Sequence, residues 1–116
     1  MPPKKRKGFI KPGDLHFINV GNSKIRVDLH TLDFIQSIGN YCKYYLNQKP
    51  HISSISMKEI EETFCKTEFI RVHRKFLIPF KKIDKIIDNE VYIKDFVIPI
   101  GNTYREEFFK IINGLN

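Results

Sequence analysis

Residues 69–79 read Phe-Ile-Arg-Val-His-Arg-Lys-Phe-Leu-Ile-Pro and place basic and imidazole side chains inside an otherwise apolar run. The cations Arg71, Arg74 and Lys75 are costly to bury without partners. Their apolar neighbours are the residue types that usually form a core. The stretch therefore predicts a segment that is anchored in a core and presents these cations at a surface, with a strand over residues 73–78.

Length and composition predict one globular domain. The chain has 116 residues, of which 41% are hydrophobic and 13% aromatic, enough for a single core. The two cysteines, Cys42 and Cys65, lack the close spacing of a metal or redox motif and are expected to be free thiols in a reducing compartment. No apolar run approaches the roughly 18 residues of a membrane span, so we expect a cytoplasmic protein.

The positive charge is concentrated in two places. Residues 1–13 contain five basic residues and no acid, which leaves 15 basic and 13 acidic side chains for the rest of the chain, a balance of +2. We expect residues 1–13 to be a basic flexible tail or linker remnant and residues 14–116 to be the folded domain. Residues 71–85 contain six cations and one acid. This polarised charge favours a polyanionic partner.

The remaining pattern is one of short strands and two helices. Short apolar runs between turn residues predict strands, and Ser56 with Glu59 three residues later predicts the start of a helix that runs to about residue 65. Apolar residues at helical spacing predict a second helix over residues 102–113, with Phe108 inward. This pattern predicts a mainly β fold with two short helices. The other predicted strands are residues 15–20, 24–29, 34–38, 41–46, 52–55, 84–88, 91–94 and 96–100, with turns at 21–23, 39–40, 48–50 and 88–90.

The sequence gives little support for a catalytic site or a metal site. Cys42 and His73 could form a thiol-imidazole pair, but neither lies in a motif that would activate it. The candidate zinc ligands, Cys42, Cys65, His51 and His73, are not arranged in close pairs. No glycine-rich phosphate loop is present in the sequence,. We therefore expect no enzyme activity, no metal and no cofactor.

Three segments of the sequence indicate that the partner is a nucleic acid. Residues 39–43, 71–75 and 101–105 each lie at an element boundary and combine Asn, Arg or Lys with a nearby turn. Asn and Arg are the side chains that read adenine and guanine edges by paired hydrogen bonds, whereas Lys mostly contacts phosphate. Taken alone, each of these segments is more simply interpreted as a turn whose polar groups form hydrogen bonds within the protein. Together they predict a binding surface.

The chain resembles the LytTR DNA-binding domain of bacterial transcription regulators over residues 14–113. The resemblance rests on four ordered blocks, Phe-Ile-Gln-Ser-Ile-Gly-Asn-Tyr at 34–41, Ser-Met-Lys-Glu-Ile-Glu at 56–61, Phe-Ile-Arg-Val-His-Arg at 69–74, and Ile-Pro-Ile-Gly at 98–101 leading to Tyr-Arg at 104–105. It implies an elongated antiparallel β-β-β arrangement whose loops, not a recognition helix, enter successive major grooves of double-stranded DNA. Bending of the DNA often accompanies this in the family.

The resemblance also implies which residues contact DNA. The family's base-reading loop falls on residues 40–43, with Cys42 at a direct contact position and Lys43 beside phosphate. The second contact region follows His73, whose own role stays open between structural and DNA-contacting. The third begins after Gly101, and Asn in place of a common Arg there implies a contact that is either weaker or prefers adenine over guanine. The implied DNA-binding residues are Asn40, Tyr41, Cys42, Lys43, Arg74, Lys75, Asn102 and Arg105.

The family implies further partners, and two other functions stay open. Its members act as transcriptional regulators or as output domains of two-component response regulators, commonly with an upstream receiver or membrane domain, and dimerise on repeated half-sites. One alternative is a single-stranded nucleic-acid-binding β module, in which Tyr41, Tyr44, Tyr45 and Phe76 stack on bases. The other is a protein-interaction module whose basic tail merely raises the isoelectric point.

Overall fold

The computed structural model of the chain describes residues 16–64 and 68–115. The predicted basic tail at residues 1–13 and the predicted helix end at residue 65 lie outside these ranges. The strands are β1 (His16–Val20), β2 (Ser23–Val27), β3 (Leu32–Ile38), β4 (Tyr41–Leu46), β5 (Lys49–Ser53), β6 (Phe69–His73), β7 (Phe76–Pro79), β8 (Lys85–Ile87), β9 (Glu90–Ile93) and β10 (Phe96–Pro99), and the helices are α1 (Met57–Thr63) and α2 (Asn102–Gly114).

The strands form three antiparallel sheets. β1 and β2 make an N-terminal hairpin, β5-β4-β3-β7-β6 make a five-stranded sheet, and β10-β9-β8 make a three-stranded sheet. This confirms the mainly β fold with two helices that the sequence predicts. None of the helices in the described part of the chain has the length and apolar character needed to span a bilayer.

Strand β3 lies at the centre of the five-stranded sheet and is buried on both faces. Leu32 and Ile35 enter the first of two cores and Phe34 enters the second, because an irregularity in the pairing with β4 between Leu32 and Phe34 interrupts the strict alternation of side chains,. The first core lies under the N-terminal hairpin and α1, and the second lies under the three-stranded sheet and α2. Burial on both faces fixes the register of β3, because a one-residue slip would exchange the two sets of side chains.

A buried acid joins the two larger sheets. Asp33, in β3, is fully buried, and its Oδ2 accepts a 2.7 Å hydrogen bond from the backbone N–H of Gln48. Its Oδ1 has no hydrogen-bond partner of good geometry among the described residues and instead faces Nζ of Lys94 at 2.8 Å. Lys94 lies in the turn between β9 and β10. The ion pair therefore attaches the three-stranded sheet to the centre of the five-stranded sheet.

The prediction of one continuous strand over residues 73–78 is wrong. The segment is a hairpin, in which β6 ends at His73, Arg74 and Lys75 form the turn, and β7 begins at Phe76. Two consecutive cations are better solvated at the tip of a turn than along a strand, where alternation would turn one of them toward a core.

Strand β5 also begins earlier than the sequence predicts. The turn before it is Asn47-Gln48, both with positive φ (48° and 68°), rather than residues 48–50. Two consecutive left-handed residues are typical of a tight hairpin turn whose twist matches its strands. Pro50 therefore lies inside β5, which is tolerated because β5 is an edge strand,.

Local signals for the helices are confirmed. Ser56 caps α1, with its Oγ accepting a 3.2 Å hydrogen bond from the backbone N–H of Glu59. The last helical residue of α1 is Thr63. α2 extends one residue past its prediction and buries Phe108 completely.

Removing the ammonium of Lys94 tests the link between the sheets. Lys94→Met leaves the Asp33 carboxylate buried without its counter-ion, so we expect a loss of about 2 kcal/mol in the free energy of unfolding, less than a fully buried pair would lose. Urea denaturation measures this loss. Lys81→Met, at an exposed lysine, is the control, and equal stability of the two variants would contradict the structural role of the pair.

Candidate nucleic-acid interface

Two hairpin turns lie side by side at one end of the five-stranded sheet. Gly39 and Asn40 connect β3 to β4 where Ile38 pairs with Tyr41, and the positive φ of Gly39 (57°) makes this tight turn possible,. Arg74 and Lys75 connect β6 to β7 at the same end, because β3 and β7 are neighbouring antiparallel strands. The backbone N–H of Ser37 donates a 2.7 Å hydrogen bond to the carbonyl of Lys75. This bond attaches the second turn to β3, two residues before the first turn.

The start of helix α2 adjoins the second turn. The backbone N–H of Gly101 donates a 2.7 Å hydrogen bond to the carbonyl of Val72, in β6. A Cβ atom on residue 101 would lie 3.3 Å from Cδ2 of His73, so glycine permits this close approach. Residues 39–41, 74–75 and 101–102 therefore form one continuous border, here called the turn edge.

The structure brings most of the predicted contact residues to the turn edge. Their side chains are exposed, and that of Tyr41 keeps 51% of its accessible surface. Lys43 is half-buried on β4. Arg105 is exposed one turn into α2, where its guanidinium lies 5.2 Å from the ring centre of Phe109. The exposed residues at the edge are Asn40, Tyr41, Arg74, Lys75 and Asn102.

Cys42 is the exception among the predicted contacts. Its side chain is fully buried in the first core, and burial raises the pKa of its thiol to about 11. A side chain without accessible surface cannot touch a duplex in this conformation. The direct contact that the resemblance implies for Cys42 is therefore not available, and the thiol acts as a small apolar side chain beneath the turn edge.

Arg71 does not join the exposed cations as the sequence predicts. Its side chain is only 22% exposed and forms a 3.0 Å ion pair with Glu61 of α1. It also donates hydrogen bonds to the carbonyls of His73, at 3.3 Å, and Arg74. On its other side it lies over the ring of Tyr104, 5.6 Å from the ring centre. Arg71 thus connects α1, the second turn and α2.

His73 has a structural role in the second turn. The backbone N–H of Lys75 donates a 3.1 Å hydrogen bond to Nδ1 of His73, so Nδ1 must be unprotonated and Nε2 carries the proton in the neutral ring. Burial, followed by the charges of Arg74, Lys75 and Arg71, lowers the pKa of His73. The neutral imidazole therefore closes the turn that carries the two exposed cations.

The fold and the turn edge define a β domain that presents hydrogen-bond donors and cations from loops and from the start of one helix. No group of three or more potential metal ligands occurs among residues 16–64 and 68–115. The exposed cations and hydrogen-bond donors are suited to binding an extended anionic partner.

The chain belongs to the LytTR family, because the family model of the LytTr DNA-binding domain matches residues 22–113. This is a family of DNA-binding domains that act in transcription regulation, not a family of enzymes. A solved structure with the same fold is the LytTr DNA-binding domain of a methyl-accepting/DNA response regulator from Bacillus cereus, with 17% identity and a TM-score of 0.75 over 85% of this chain and 96% of that one. No curated protein matches the sequence.

The pH dependence of stability tests the role of His73. Because the pKa of His73 is lower in the folded state, its contribution to the free energy of unfolding is fully present above pH 6.5, the ordinary pKa of histidine. That contribution is lost as the pH falls from 6.5 through the lower pKa of the folded state. His16, which is also partly buried and has a lowered pKa, contributes in the same direction. We expect the melting temperature to fall less between pH 7.5 and pH 5 in His73→Gln than in the parent. Identical pH profiles would contradict this role.

Proposed function

We propose that this domain binds double-stranded DNA with sequence specificity through the turn edge, with its turns entering successive major grooves. The observation that carries the proposal is the union of three polar segments, distant in sequence, along one border of the fold. The Ser37–Lys75 and Gly101–Val72 backbone hydrogen bonds, both 2.7 Å, hold these segments together. A rigid border of this kind can be complementary to a duplex without a recognition helix.

The predicted contact residues in the turn edge, together with Lys43 and Arg105 beside it, fall into two chemical groups. Asn40, Asn102 and Arg74 can form paired hydrogen bonds with base edges, the two asparagines with adenine and the arginine with guanine. Lys43, Lys75 and Arg105 supply positive charge for phosphates, and Tyr41 supplies a hydroxyl. The first turn of α2 has no acidic residue and no side-chain cap, which leaves its N–H groups favourable for phosphate.

The aromatic side chains favour a duplex over a single strand. Stacking on single-stranded bases requires accessible rings. Tyr44 is fully buried, and Tyr45 and Phe76 are half-buried in the second core, where Tyr45 stacks on Phe34 with 4.3 Å between ring centres. Tyr41 is the one of the four predicted stacking residues that is exposed. One ring is a poor platform for a single strand.

The family and its structural neighbour suggest the wider context. We infer that the domain is the output part of a transcriptional regulator or response regulator in the cytoplasm, joined to an upstream receiver domain through the basic segment at residues 1–13. A dimer on repeated half-sites would place two turn edges on one face of the duplex. The basic segment would add nonspecific attraction to phosphate.

Arg74→Ala tests the assignment of the turn edge. The change removes an exposed side chain whose loss leaves the backbone acceptor for Arg71 in place, so we expect the melting temperature to be unchanged. Affinity for a duplex selected from a genomic fragment pool should fall about 5- to 150-fold, the usual cost of losing a bidentate arginine. Fluorescence anisotropy measures this affinity. Arg26→Ala, at an exposed arginine of β2, is the control, and equal losses in both variants would refute the assignment.

Salt dependence tests whether the partner is a polyanion. If about five phosphates are neutralised, log affinity should fall with log salt at a slope of about −4 to −5. Deletion of residues 1–11 should make the slope shallower and keep the preference for the selected duplex. A flat salt dependence, complete loss of binding on that deletion, or equal displacement by single-stranded DNA would each contradict the proposal.

A further inference from the structure

Arg71 lies in the basic stretch beside the turn edge, yet its guanidinium is occupied inside the protein. Nε donates to the carbonyl of His73, one terminal nitrogen pairs with Glu61, and the other donates to the carbonyl of Arg74. The ring of Tyr104 covers one face of the group. Its charge is therefore compensated and most of its surface is hidden, which is unfavourable for a phosphate contact.

We propose that Arg71 is a positioning residue for DNA recognition, and that Glu61 orients it. Arg71 would hold the Arg74–Lys75 turn against the start of α2, so that the second and third segments of the turn edge keep one geometry. The proposal rests on the proposed function, since it assigns the residues that prepare that surface. It also assigns a role to Glu61, an acid that would repel DNA if it acted on DNA directly.

The geometry calls for arginine rather than for any cation. A planar guanidinium presents several N–H donors in a fixed fork, so that one side chain can bond two backbone carbonyls and a carboxylate together. The ammonium of lysine is a compact charge that cannot reproduce this fork. The two carbonyls belong to His73 and Arg74, so loss of the fork would release the turn backbone itself.

Glu61→Gln is a test in which the two possible roles of Glu61 predict opposite changes in DNA affinity. If Glu61 acts only through its charge, removal of a carboxylate near a DNA-binding surface should tighten binding to every duplex. If it orients Arg71, affinity for the selected duplex should fall about tenfold, a typical strength of coupling between neighbours in one network, while affinity for a random duplex changes less than twofold. Glu62→Gln, at the exposed neighbouring acid on α1, is the matched control and should not weaken specific binding.

Substitutions of Arg71 separate positioning from phosphate contact. Arg71→Lys keeps the charge and should lose specific affinity, as Arg71→Met does. The salt slope on random duplex should stay the same in both, whereas loss of a phosphate contact would make the slope shallower by about one. Thermal melting shows whether each variant is folded at the assay temperature. Retention of specific affinity by Arg71→Lys, or a shallower slope in Arg71→Met, would overturn the positioning role.

A measurement without DNA keeps the inference independent of the proposed function. The amide of Ser37 is bonded to the carbonyl of Lys75 and reports the position of the turn. Hydrogen exchange followed by NMR should show faster exchange at Ser37 in Glu61→Gln and unchanged exchange at Ile35, in the sheet centre. If the parent prefers no duplex, the proposed function fails and this readout alone decides the inference. Unchanged exchange at Ser37, or tighter DNA binding by Glu61→Gln, would overturn it.

Discussion

The burial of β3 on both faces is the constraint from which the rest of the domain follows. A strand with apolar side chains on both sides must be covered by two layers, here the hairpin with α1 and the three-stranded sheet with α2,. The fixed register of β3 determines which of its residues pair with each residue of the neighbouring strands β4 and β7. The ends of these strands are the two turns, so core packing determines where the polar groups of the turn edge lie.

Signals confined to a few neighbouring residues predict most of the strands and both helices, whereas the arrangement of the sheets is implied by the family resemblance. The turn at Gly39-Asn40 before an apolar run predicts β4 with its observed bounds, and the cap at Ser56 predicts the start of α1. The sequence does not predict the hairpin at Arg74-Lys75, because neither residue is a usual turn former. What decides it is the pairing of β7 with β3, in which the partner residues are 40 and 42 positions apart.

The candidate site was predictable to the same extent and for the same reason. Asn40, Arg74 and Asn102 stand at boundaries that the sequence marks, and the structure places all three on one border. Cys42 and Arg71 could not be judged in this way, because the exposure of a side chain depends on elements far along the chain. Arg71 is partly buried by contacts with Glu61 of α1 and Tyr104 of α2. No sequence pattern near residue 71 predicts either contact.

The protection of the sheet edges has a consequence for crowding on DNA. Proteins bound to adjacent sites are held at high local concentration, where a bare strand edge invites pairing between molecules and aggregation. In the five-stranded sheet, helix α2 packs along β6, and Pro50 interrupts the row of donors on β5. Neighbouring copies could therefore occupy closely spaced sites and still remain separate molecules, with any association left to other surfaces.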